Sequence, residues 1–185
     1  MTETNPFLSF IPTHAEKLII GSFPCFNGKD YGDWYYSGSG RNYFWQLLSE
    51  ITGLTATTRS EKTALCEKHH IALSDIALRV KRKAGNCSDA NLHILEYNQQ
   101  GLDDCLQQPL KSIFFTSRFV ESEFKRLYPQ NKTNTFLLPS PSPAANRHIG
   151  GLDAYKTMKA EGVLDNPYQF RLLAYKKLLG LRTDY

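Results

Sequence analysis

Two short stretches carry the side chains best suited to chemistry. The first is Gly21-Ser22-Phe23-Pro24, which follows the apolar run Lys17 to Ile20 and opens a long loop. That loop carries Phe23, Phe26, Tyr31, Trp34, Tyr35 and Tyr36, and ends at Arg41-Asn42, where an amphipathic segment begins. The second is Pro139 to His148, P-S-P-S-P-A-A-N-R-H, which follows the apolar run Thr135 to Leu138. A strand, a glycine-bearing loop and a helix start are the parts of a ligand site at the carboxyl end of a sheet. An ordinary surface connection, with a few aromatics folded back onto the core, is the competing reading of the first stretch.

Other reactive side chains give weaker signals. Cys25 has no histidine near it in sequence, so it reads as a packed or bystander thiol in preference to a nucleophile. His69-His70 lacks the H-E-x-x-H context of a helical metal site. Asp75 could face a site, but a carboxylate that closes a turn or bonds loop amides is the commoner case. Arg79, Lys81, Arg82 and Lys83 crowd into five residues, either as a solvated loop or as a phosphate contact.

The elements that must position these residues follow from periodicity. Lys17 to Gly21, Ile71 to Ala77, Lys111 to Thr116 and Thr135 to Leu138 read as inner strands. Tyr43, Phe44, Leu47, Leu48 and Ile51 keep helical spacing, with Gly53 as the stop. Ser60 to His70 reads as a second helix with Ala64 and Leu65 inward. Ser117 is placed to cap a helix running to about Leu127, and Tyr168 to Leu181 reads as a closing helix. Leu102 to Gln108 suggests a short helix, and Leu92 to Leu95 a short strand or turn. The polar stretch Leu78 to Asn91 reads as a loop, and Ile149 to Leu164 has no clear assignment. At the amino end, Phe7, Leu8, Phe10 and Ile11 are available to pack beneath the sheet. In the second stretch the alternating prolines Pro139, Pro141 and Pro143 oppose both helix and sheet.

Strands that alternate with helices imply a parallel sheet covered on both faces. The fold class expected is α/β, a three-layer α/β/α sandwich around a central, mainly parallel four-stranded sheet. The 185 residues suit a single domain over 1–185. In a parallel sheet the loops after the first and last inner strands emerge on the same side, so both stretches can face one cleft.

Composition bounds the partners. A net charge of +4 and a sequence pI near 8.8 allow a nucleic-acid partner without demanding one. The four cysteines, Cys25, Cys66, Cys87 and Cys105, form no C-x-x-C pair, which argues against a zinc ribbon or an iron–sulfur cluster. No apolar run approaches the ~20 residues needed to span a bilayer. The amino end shows no signal-peptide pattern, so a cytoplasmic, reducing environment is expected.

Taken together, the two stretches resemble the signature motifs of the uracil-DNA glycosylase superfamily. Its first motif is a strand, G-x-x-P, an aromatic loop and then N-x-F-W at a helix start. Gly21-Ser22-Phe23-Pro24 and Asn42-Tyr43-Phe44-Trp45 match it. Its second is a strand followed by a P-S-P-like turn, matched by Leu138 to Ala144. Within that superfamily the chain most resembles the hypoxanthine-DNA glycosylase-like branch, through G-S-x-P, Tyr35-Tyr36 ahead of Arg41-Asn42, and Ser140 to Ala144. Phe23 stands where many members carry a water-activating Asp or Asn. Ser140 replaces the usual His or Asn, and Ala144 replaces a leucine wedge.

The resemblance implies a monofunctional, cofactor-free DNA glycosylase that removes a deaminated base, uracil or hypoxanthine, by direct water attack. Such chemistry extrudes a nucleotide, places water at C1′ and stabilises charge on the departing base. Asn42 is then the catalytic candidate, unless it only caps its helix. Gly21, Ser22 and Phe23 would offer backbone amides to the base, and Phe23 or, preferably, Tyr36 would stack on it. Ser140 would bond the base, or only stabilise its own turn, and the same alternatives hold for Ser142. Arg41, Ser142, Ala144, Asn146 and Arg147 would meet the DNA. The protein is expected to act as a monomer, with DNA as its partner and without a membrane or metal. A non-catalytic module that recognises damaged DNA or nucleotides is the alternative from another class.

Overall fold

The computed structural model describes residues 2–83 and 86–181. The chain runs β1 (Thr2–Thr4), β2 (Lys17–Gly21), α1 (Phe44–Thr52), α2 (Arg59–Lys68), β3 (Ile71–Asp75), β4 (Ala77–Arg82) and β5 (Leu92–Tyr97). It continues with α3 (Gln99–Leu106), β6 (Ser112–Phe115), α4 (Arg118–Leu127), β7 (Asn134–Leu137), α5 (Asn146–Gly151), α6 (Asp153–Ala160) and α7 (Pro167–Leu179). Strands β3, β2, β6 and β7 lie side by side in that order, all parallel.

Alternation along β2 divides the core, because successive side chains of a strand point to opposite faces. Ile19 joins Leu73 and Phe114 beneath α1, α2 and α7, in a layer that includes Phe44, Leu48, Leu65 and Tyr175. Leu18 and Ile20 face the other way, with Ile113 and Phe115 against Leu102, Val120 and Phe124 of α3 and α4. The expected three-layer α/β/α arrangement is therefore what these residues build. Every residue of β3 is buried, as a strand covered on both faces requires. Caps set the helix ends: Ser117 Oγ accepts from Val120 N, and Gly53 leaves α1 with a left-handed φ of 73°.

Several expectations need correction. The run Ile71 to Ala77 is not one strand, since β3 ends at Asp75 and Ala77 opens β4 in a different sheet. That second sheet, β1-β4-β5, is antiparallel and claims part of the stretch expected to be loop. Its strand β4 buries Ala77 and Val80 and exposes residues between them, so the exposed arginines and lysines hide a half-buried strand. The two arginines of the basic run have acidic partners. Arg79 pairs with Glu96 across the strands at 3.3 Å, and Arg82 Nε donates to Glu3 at 2.9 Å. Leu8 is exposed and does not pack under the sheet, and Ala64 faces outward. Pro139 to His148 is not free of helix. A single 3₁₀ turn covers Pro143–Ala145 and α5 follows at once, because a proline at the first helical position loses no hydrogen bond. Residues 149–164, unassigned from sequence, hold the end of α5 and all of α6. Among the described residues no helix is long and apolar enough to cross a membrane.

Candidate functional site

The carboxyl ends of all four parallel strands converge on one cavity of about 130 Å³. Ser22, Phe23 and Pro24 enter it after β2, Asp75 from β3, Thr116 and Ser117 after β6, and Ser140 to Ser142 after β7. Asn42, Tyr36, Gly38, Ser39, Asp89 and the Cys25–Cys87 pair complete its wall. The two stretches singled out from sequence are thus brought together, and they touch directly: Tyr43 N donates to the Pro141 carbonyl at 3.0 Å.

The aromatic loop before Asn42 is pinned at several points. Trp34 and Tyr35 are buried, Trp34 stacks on Trp45 at 5.5 Å, and Trp45 Nε1 donates to the Tyr35 carbonyl at 2.6 Å. Lys62 of α2, itself almost wholly buried, pairs with Asp33 at 2.6 Å and donates to Ser37 Oγ at 2.9 Å. Gly38 passes so close to the Cys25 carbonyl that a Cβ there would collide with it. The result is a fixed wall for the cavity.

Asn42 lies at the entry to α1 without being its N-cap. Its Oδ1 accepts from Phe44 N at 2.9 Å at the start of α1, one position ahead of the residue that caps the helix, Tyr43. Its Nδ2 has no acceptor among the described residues, and the side chain lines the cavity. What Asn42 offers a ligand is therefore chiefly a donor, plus the second lone pair of Oδ1.

The remaining candidates divide. Phe23 is mostly core, edge-on to Tyr31 and beneath the Arg82 guanidinium at 5.5 Å. Tyr36 stacks one ring face on Phe44 at 3.9 Å, holds an uncommon φ of 59° and buries its hydroxyl with no hydrogen-bond partner within the distance criterion among the described residues. Ser140 Oγ accepts from Ser142 N, and Ser142 Oγ accepts from Ala144 N, both at 3.3 Å. Both hydroxyls serve their own turns and keep their protons to donate. Arg41 and Ala144 line a wider groove of about 1210 Å³ that adjoins the cavity mouth. Asn146 is turned inward, its Oδ1 held by Arg171 at 2.8 Å, whereas Arg147 is exposed.

Three features of the site escaped the sequence reading. Cys25 is neither nucleophile nor packed thiol: it is joined to Cys87, 62 residues on, and the bridge ties the first loop to the segment before β5. Nothing in the scattered spacing of the cysteines announces that pairing. Replacing both cysteines by serine should lower stability by about 3 kcal/mol, read from urea unfolding of the oxidised parent and the variant.

Arg171 is the second. It is fully buried in α7, where Nε donates to the Ser140 carbonyl at 2.6 Å and Nη2 to the Ser142 carbonyl at 2.8 Å. It also lies over the Tyr43 ring at 5.3 Å. One guanidinium thus holds the second stretch in place and braces the helix start of the first. Its signal was its position, four residues before Tyr175 and eight before Leu179 on the buried stripe of α7. Arg171→Met keeps much of the volume and orphans those carbonyls. It should cost about 3 kcal/mol, measured as a shift in denaturant midpoint.

The third is Asp75, almost fully buried at the cavity wall. Burial pushes its pKa up to about 7, against a partial offset from the Asn5 side chain, which donates to Oδ2 at 2.9 Å. From sequence it sat inside a strand running to Ala77, with a site-facing role weighed against the commoner turn-closing one, whereas β3 ends at Asp75 beside Gly21 of β2.

With the geometry in place, comparison with known proteins supplies the fold. No protein-family model and no curated protein matches the chain. Among solved structures, the chain is similar to the solution structure of a Methanosarcina acetivorans protein provisionally named a uracil DNA glycosylase. The TM-score is 0.62 at 24% identity, over 86% of this chain and 96% of that one. The fold is thus a uracil-DNA-glycosylase-like α/β sandwich.

Proposed function

We propose that the protein is a monofunctional DNA glycosylase that hydrolyses the N-glycosidic bond of a deaminated base in DNA. The reading rests on one observation: the unpaired Asn42 amide faces a small cavity at which both loops of the resemblance meet, Gly21 to Pro24 and Ser140 to Ser142. The duplex would lie along the wider groove, with Arg41, Ala144 and Arg147 toward its backbone and an everted base in the cavity.

In that arrangement the C1′–N bond breaks with its electron pair moving onto the base, and water oxygen bonds to C1′. Asn42 Nδ2 donates to a base oxygen on which charge develops, and the free lone pair of Oδ1 orients the water. The amides of Ser22 and Phe23 have no acceptor among the described residues and add further donors. Fixed donors suit this role because they need no reorganisation as charge appears. The open face of Tyr36, opposite Phe44, stacks on the base. Among the described residues no lysine lines the cavity, and the product expected of direct water attack is an abasic site with an intact strand.

Oligonucleotides carrying uracil, hypoxanthine, xanthine or a mismatched thymine, treated with protein and then alkali, test this. The expected result is strand scission at a deaminated base only after alkali. Lesion-selective binding without abasic product at large protein excess would identify a non-catalytic recognition module instead.

A further inference from the structure

The Cys25–Cys87 bridge stands where the cavity opens into the wider groove, and both cysteines line both spaces. Cys25 belongs to the turn after Pro24, and Cys87 to the segment that precedes β5. The polar bonds of each segment largely close on the segment itself. In the first, Asn27 Oδ1 accepts from Lys29 N and Asp30 N, and Asn27 Nδ2 donates to Asp30 Oδ1 at 2.9 Å. In the second, Asn86 Oδ1 accepts from Ser88 N at 3.0 Å and from Asn91 Nδ2. Its far end is moored on α4, where Ser117 Oγ donates to Asp89 Oδ2 at 2.6 Å. Arg82 reaches both segments, donating to the Pro24 carbonyl at 2.8 Å and to the Asn86 carbonyl at 3.4 Å. Covalent closure, with that one guanidinium as the weaker tie, makes two self-contained turns into a single wall.

Access sets these two sulfurs apart from the other two. Cys66 and Cys105 are buried free thiols, whereas Cys87 is exposed and Cys25 half-buried. An exposed bridge is the kind that an external thiol opens most readily. Attack of a reductant thiolate on Cys87 Sγ breaks the S–S bond and releases Cys25 as a thiolate. A second reductant thiol then attacks the reductant's sulfur in that mixed disulfide and frees Cys87. The protein gains two electrons and two protons, and the two reductant thiols leave as one disulfide. The consequence is local, because the rest of the first loop has other moorings. Tyr31 donates its hydroxyl to Glu3 at 2.9 Å, and Trp34 stays stacked on Trp45. What is freed is the turn of residues 25–30 at the groove, and a bound duplex would then have to order it at a cost in affinity.

We infer that the Cys25–Cys87 bridge is a redox-sensitive switch on the groove. Closed, it presents a preorganised wall to the duplex; opened by a thiol reductant, it weakens duplex binding. The inference rests on the reading that DNA lies along that groove, and adds a means of control to it.

The test equilibrates the protein with mixtures of reduced and oxidised glutathione and reads the bridged fraction by alkylation and mass. Each sample is then titrated against a fluorescein-labelled duplex bearing a non-hydrolysable uracil nucleotide. Affinity should fall about 10-fold from the bridged to the reduced form and track the bridged fraction between them. The Cys25→Ser/Cys87→Ser variant should bind at the reduced level in every mixture. Near-ultraviolet circular dichroism checks that the reduced form stays folded, and the wild-type comparison decides even if the variant does not fold. A bridge that persists in every mixture is purely structural and overturns the inference. Equal affinities of the two forms, undetectable binding in both, or outright unfolding on reduction overturn it as well. Base release from a hydrolysable duplex in the same samples keeps the two readings apart. No release from either form, beside a redox-dependent affinity, defeats the glycosylase reading and leaves the switch standing.

Discussion

Asn42→Ala should slow base release by about 100- to 1,000-fold, the usual loss when one preorganised donor is removed from a developing negative charge. The variant also loses the bond to Phe44 N at the start of α1, which should cost only about 1 kcal/mol of stability. Asn42→Asp separates the two roles. A carboxylate still accepts from Phe44 N, so the helix start and thermal stability should be retained. It has no Nδ2 to donate, so base release should still fall. Single-turnover rates beside thermal melts of all three proteins check this. Retained release in Asn42→Ala would move the catalytic role elsewhere.

The second large effect is a gain of stability with a defined pH dependence. Burial penalises the charged form of Asp75 and raises its pKa from the ordinary 3.8 of an aspartate to about 7. The folded protein therefore holds a proton that the unfolded chain has released between those two values. Stability falls as pH rises from about 4 to about 7, and the loss is complete above the folded value. That difference is worth about 4 kcal/mol. Asp75→Asn cannot ionise and keeps an oxygen for Asn5. It should match the wild type near pH 4 and be more stable by up to about 4 kcal/mol at pH 8. Urea unfolding across that range measures it.

The parts of the fold that could be read from sequence are those whose pattern is local. The β2 apolar run, the Gly53 stop and the Ser117 cap each follow from a few adjacent residues, and the structure keeps all three. The convergence of Gly21 to Pro24 with Ser140 to Ser142 was also legible, because parallel strands send their following loops to one side. The β1-β4-β5 sheet was not, since β4 is rich in arginine and lysine and its opening residues, Ala77 to Val80, do not alternate, the register against β5 shifting on either side of Arg79. Arg171, Asp75 and the Cys25–Cys87 bridge all act across long sequence separations. Burial and pairing, not residue type, give them their roles, and these emerge only when the chain is folded. Tyr36 shows the same limit: its type suggested a stacking face, but its buried hydroxyl and left-handed backbone are properties of its place.

The claim on which the account depends is that the two loops enclose one everted base. The most direct measurement is a crystal structure of the protein with a duplex that carries a non-hydrolysable uracil or hypoxanthine nucleotide. The lesion base should lie out of the stack, between Gly21 to Pro24 and Ser140 to Ser142, with a base oxygen about 2.9 Å from Asn42 Nδ2. A base left stacked in the duplex, or one bound away from that cavity, would contradict it.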